Sequence, residues 1–171
     1  IIDACLLLKK ELGIQPARVA RVAIQASPGA MALCNRRNPK DELEAHVSLH
    51  HWVAVALHRG SARIQDMDTK TAVHDPALMA FQDRVEATLN PALAADAAIV
   101  TLTMQDGATH TVHIEHGIGS ASRPMSNAEL ETKFYEMAEP VIGASRARDM
   151  IAMTWDIEAL PNAGDLPRAA A

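Results

Sequence analysis

The sequence predicts an α+β domain in two layers, with helices packed on a small, mainly antiparallel sheet, and three observations predict it. Two strand-like runs, 98–104 and 109–115, flank Asp106-Gly107, and a glycine there tolerates the positive φ that a tight hairpin turn requires. The helical segments stand apart from this hairpin instead of alternating with strands one for one, which argues against a doubly wound parallel sheet. The 171 residues, 49% hydrophobic and 22% charged, suit a single domain with one buried core. Aromatic residues make up only 3%, so that core is aliphatic.

The elements follow in chain order. From Asp3 to Leu12 the apolar residues Ala4, Leu7, Leu8 and Leu12 recur at helical spacing, and Gly13 supplies the stop. After Pro16, the stretch from Arg18 to Gln25 alternates, with Ala20, Val22 and Ile24 on one face, and reads as a half-buried strand. Ser27 to Asn38 has loop chemistry, with at most one helical turn at Met31–Cys34. Pro39 opens the longest predicted helix, Asp41 to His58, apolar all round from Trp52 to Leu57 and ended by Gly60. Asp75-Pro76 caps a helix running to about Arg84, and Val85 to Leu89 is a short strand. Beyond the hairpin, Ser126 and Glu129 form a capping box for a helix to about Glu139. A last helix carries Met150, Ile151 and Met153, and 163–171 reads as a disordered tail.

Composition excludes several functions. A net charge of -5, from 16 basic and 21 acidic residues, provides no basic patch for phosphates, and five scattered aromatics provide no stacking platform for bases. No apolar run approaches the roughly 20 residues of a membrane helix, and no signal-peptide pattern opens the chain, so the expectation is a cytoplasmic protein that binds neither nucleic acid nor membrane. Cys5 and Cys34 are far apart and form no C-x-x-C pair, so they read as packed thiols. Gly117-Ile118-Gly119 follows a strand but lacks the third glycine of a dinucleotide loop.

Eight histidines are the most unusual polar feature. On a strand His110 and His116 share a face and His113 takes the other, so the three do not converge on one metal. His46 and His50, four apart on the long predicted helix, share a face in the manner of paired zinc ligands, but Val47 stands where the zincin pattern needs a glutamate. His51 projects about 100° from His50, alongside Val47, Val55 and His58. Spacing alone favours interior or surface imidazoles over a working site, although an imidazole on a buried helix suits acid–base chemistry near pH 7.

The segment from Asn38 and Pro39 through Glu42, His46, Ser48 and Trp52 to Leu57, closed by Gly60, resembles the proline-led, serine-containing helix of the MmgE/PrpD family. Asp75-Pro76, Asp106-Gly107, Gly119, Arg123-Pro124-Met125-Ser126, Glu129-Leu130 and Lys133-Phe134 follow in family order. Ile2-Asp3-Ala4 with Leu7 resembles the helix after a lysine-bearing loop of that family. The family includes 2-methylcitrate dehydratases, cis-aconitate decarboxylases and iminodisuccinate epimerases. The resemblance implies that 1–162 is the C-terminal lid domain and that an all-helical N-terminal domain, bearing the main acid–base residues, is absent. The chain begins at Ile1 without Met, and the expectation is a piece of a longer polypeptide, inactive alone and homodimeric in full. The implied substrate is a small di- or tricarboxylate, with neither metal nor organic cofactor. The family often places an aromatic residue three positions after the helix serine, facing the substrate. Here that position is His51, the expected catalytic residue, with Ser48 and His50 as substrate-binding companions. Arg123 and Lys133 match family positions and read as structural. A non-catalytic binding or dimerisation domain is the competing expectation.

Overall fold

The computed structural model describes residues 1–170. Helix α1 (Ile2–Leu12) buries Ala4, Cys5 and Leu8 and stops at Gly13, whose φ of 58° is left-handed. Strands β1 (Val19–Ala26), β2 (Val85–Leu89), β3 (Ala98–Met104) and β4 (Thr109–Ile114) form one sheet in the order β2-β1-β3-β4. The β1–β3 and β3–β4 pairs are antiparallel, and β2 runs parallel to β1. The two-layer α+β reading therefore holds, with one parallel strand added at the edge.

Alternation puts Val22, Ile24, Val100, Leu102, Val85 and Ile114 on the inner face of the sheet, all buried. Near the start of β1 the expected alternation slips. The register shifts between Val19 and Arg21, so Val19 is buried and Ala20 exposed. A bulge puts an extra residue on one strand and turns its neighbours over. Helix α1 covers the inner face at β3 and β4 and shares one continuous core with Val53, Ala54 and Leu57 of the chain's central helix.

Two expectations are corrected between β1 and β2. The segment after Ser27 is a seven-residue helix, α2 (Pro28–Cys34), because the Ser27 side chain accepts from the Ala30 N–H and Pro28 occupies the first turn. The long helix predicted from Asp41 to His58 is two helices, α3 (Glu42–His46) and α4 (Leu49–Arg59). Ser48 interrupts them with extended backbone (φ -110°, ψ 102°) and bridges to Asn35, and its side chain caps α4 through the His51 N–H. Short helical turns at Ile64–Met67 and Thr69–Val73 lead to α5 (Pro76–Gln82), capped by Asp75 as expected.

The described chain divides into two compact units, 1–123 and Pro124 onward, where one domain over 1–162 was expected. In the second unit α6 (Asn127–Ile142) starts from the Ser126/Glu129 capping box and continues through Pro140 past the expected end at Glu139. Helix α7 (Ala144–Trp155) starts well before Met150 and packs against α6. Of the expected disordered tail, Asp165–Ala169 forms a short helix, α8, and Ala171 lies outside the described residues. Among the described residues no helix is long and apolar enough to cross a membrane.

Candidate functional site

The break between α3 and α4 organises the site. Ser48 is completely buried. Its Oγ donates to the Arg36 carbonyl at 2.6 Å and accepts the His51 N–H at 3.1 Å, so one hydroxyl ties the start of α4 to the segment after α2.

His50 and His51 are both fully buried and point different ways. The His50 Nε2 lies 2.9 Å from Asn35 Oδ1, and its Nδ1 makes no hydrogen bond of normal geometry. Burial, helped by the Arg37 charge and opposed by the Val85 carbonyl, pushes the His50 pKa down to about 4. His50 is thus neutral at pH 7 and acts as a polar anchor for Asn35.

His51 Nε2–H donates to the Asp66 carbonyl at 2.6 Å, and its Nδ1 is buried without a partner. Burial lowers the His51 pKa, the Asp66 carbonyl and carboxylate oppose that, and Arg59 adds to it. An unsatisfied buried acceptor of this kind costs about 1–3 kcal/mol. The Asp66 carboxylate, itself 4% exposed, pairs with the Arg59 guanidinium and accepts the Arg63 N–H at 2.8 Å. Arg59 also donates to the Thr71 carbonyl at 2.9 Å. Asp66 therefore ties both ends of α4 together, through His51 at one end and Arg59 at the other.

An open groove of about 320 Å³ lies at the start of α4, its wall including Asp3, Cys34, His46, Ser48, Trp52 and Asp96. Trp52 donates its indole N–H to the His46 carbonyl at 3.2 Å. His46 Nδ1 contacts Met67 Sδ at 3.2 Å. At the rim the Asp3 carboxylate accepts the Ile118 N–H at 2.7 Å and lies 3.5 Å from Arg123, while Asp96 pairs with His116 Nδ1 at 3.0 Å.

Of the three expected site residues, Ser48 lies in the groove wall. His51 is not in that wall but packs edge-on to the ring of Trp52, which is, at 5.6 Å and 72°, and His50 turns toward Asn35. His46 and His50 do not form the pair that a continuous helix would make, because the helix break separates them. On β4, His110 sits half-buried beside Val112 and Ile114 while His113 is exposed on the opposite face. Among the described residues no three His, Cys, Asp or Glu side chains gather as metal ligands. Cys5 is fully buried, which pushes its thiol up to about 12, and Cys34 is half-buried beside the groove. Asn35 and Asp66 went unnoticed in the sequence. Asn35 follows α2 and Asp66 sits in the short helical turn Ile64–Met67, and the histidines they hold are fifteen positions away.

In the second unit a smaller apolar groove of about 200 Å³ lies between α6 and α7, lined by Leu130, Phe134, Ile151 and Trp155 among others. Its glutamate, Glu131, accepts the Trp155 indole N–H at 2.7 Å.

In comparison with known proteins, a family model described as the MmgE/PrpD C-terminal domain matches residues 1–159. No curated protein matches the chain.

Proposed function

Taking as premise that the chain belongs to the MmgE/PrpD family as its C-terminal domain, we propose that it forms the lid of a dehydratase-type lyase acting on a small di- or tricarboxylate, with 2-methylcitrate the first substrate to test. The chemistry is removal of a proton next to a carboxylate followed by loss of water, the enolate-like transition state being stabilised by cations and hydrogen-bond donors. The principal acid and base come from an N-terminal helical domain of the same polypeptide, so this domain alone is inactive. The full protein works as a cytoplasmic homodimer. Within this domain His51 is the acid–base group, and Ser48 and His50 shape the substrate side of the start of α4.

The observation that carries this reading is the family match, which spans the helix break and the groove beside it. The position of Ser48 in the groove wall and the buried, unpartnered Nδ1 of His51 on the same helix support the choice of residues. The test is turnover of 2-methylcitrate, cis-aconitate and iminodisuccinate by a full-length protein carrying this domain, beside the His51→Ala variant and the isolated 171-residue chain. Dehydration of 2-methylcitrate, lost in the variant and absent from the isolated chain, supports the reading. Preference for cis-aconitate or iminodisuccinate reassigns the reaction to decarboxylation or epimerisation. Unchanged rates in the variant remove His51 from the chemistry, and a full-length protein without any turnover favours a dimerisation module.

A further inference from the structure

Resting on that reading of His51, we infer that Asp66 is a positioning residue: its backbone carbonyl locks the imidazole in the Nε2–H tautomer and leaves Nδ1 as the bare lone pair, so that His51 serves as proton acceptor and not as donor. A carbonyl oxygen only accepts, so the 2.6 Å contact requires hydrogen on Nε2. Nδ1 is buried and has no hydrogen-bond partner among the described residues, so nothing there holds a second proton. The imidazole has little freedom to turn. It is fully buried, the His51 backbone N–H is held by Ser48 Oγ at 3.1 Å, and its ring lies edge-on to Trp52.

The Asp66 carbonyl is itself held in place. The Asp66 carboxylate closes the turn at Ile64–Met67 by accepting the Arg63 N–H and pairs with Arg59. Arg59 is anchored in turn on the Thr71 carbonyl. The side chain of Asp66 thus fixes the position of its own carbonyl, and the carbonyl fixes the tautomer. When Nδ1 accepts a proton, Nε2–H stays on the Asp66 carbonyl, and the Asp66 charge favours the positive ring while the Arg59 charge opposes it. This is the arrangement of a base with a fixed second partner.

The experiment is long-range ¹⁵N–¹H correlation spectroscopy of the 171-residue chain carrying ¹⁵N-histidine at pH 7, with the His51 signals assigned against His51→Gln. The expected spectrum shows His51 with a protonated Nε2 and a bare Nδ1. Asp66→Ala, which frees the turn, brings in the Nδ1–H form, and Asp66→Asn, which keeps an acceptor for the Arg63 N–H, restores the single tautomer. An Nδ1–H or doubly protonated His51 in the unmodified chain overturns the inference. So does a folded Asp66→Ala variant whose tautomer is unchanged. If Asp66→Ala does not fold, the spectrum of the unmodified chain decides. In the full-length enzyme Asp66→Ala lowers kcat by up to about a hundredfold at unchanged KM, and Asp66→Asn recovers most of it. Because the spectra need no substrate, the two readings fail separately: loss of the substrate assignment leaves the tautomer intact, and a wrong tautomer leaves carboxylate turnover intact.

Discussion

Replacing Ser48 by alanine tests the central structural argument, that one buried hydroxyl creates the helix break from which the site is built. The substitution removes the N-cap of α4, worth about 1 kcal/mol, and the bond from Oγ to the Arg36 carbonyl at 2.6 Å, worth about 1 kcal/mol more. The expected loss is thus about 2 kcal/mol, or a fall in Tm of roughly 4–8 °C for a chain of this size. The two tryptophans separate the units, since Trp52 lies in 1–123 and Trp155 beyond Pro124. In a Trp155→Phe background, fluorescence during urea unfolding reports Trp52 alone, four residues from the substituted serine. The reference is Ser126→Ala, which removes the cap of α6 in the second unit and costs about 1 kcal/mol, read through Trp155 in a Trp52→Phe background. A loss below about 0.5 kcal/mol for Ser48→Ala would refute the reasoning, because it would mean that α3 and α4 part for some reason other than the Ser48 contacts.

The buried histidines set an acid limit. His50 titrates near 6.5 unfolded and about 4 folded, so the unfolded state binds the extra proton. Stability is then complete above about 6.5 and falls by up to roughly 3 kcal/mol as pH drops toward 4. Urea midpoints between pH 7 and pH 4.5 should show this slope and its flattening in His50→Gln, and an equal slope in both proteins would contradict it. Cys5, with its thiol pushed up to about 12, should resist alkylation in the native protein at pH 8 while Cys34 reacts, which peptide mass spectrometry of timed samples resolves. Equal labelling rates would show that α1 is not held in place. Leu57→Ala, at a fully buried position of α4, should cost about 2–5 kcal/mol. Leu43→Ala, at a position 78% exposed, should stay within about 0.5 kcal/mol in the same urea assay.

Several features were legible because their causes are local. Asp106-Gly107 closes the β3–β4 hairpin with Gly107 at φ 85°, and Ser126 with Glu129, Asp75 with Pro76, and Gly13 mark helix ends by bonds or dihedrals that span only a few residues. The run 98–104 was legible as a strand, and in the fold its alternate residues Ala98, Val100, Leu102 and Met104 are the buried ones. Family membership was legible in the order of such motifs along the chain.

What the sequence by itself determined, then, is the fold class, most of the caps and turns, and the family. Tertiary structure decided the rest. Helical periodicity runs unbroken from Asp41 to His58, and the first helix ends at His46 because Ser48 finds Asn35 and Arg36, thirteen and twelve residues back along the chain. Periodicity placed His46 and His50 together, and the break separated them. The tautomer of His51 depends on a carbonyl fifteen residues ahead, in a turn held by Arg59 of the same helix that carries His51. Periodicity and capping report what a residue does with its near neighbours. Which buried donor meets which acceptor depends on how separate segments pack, and only the folded chain determines that.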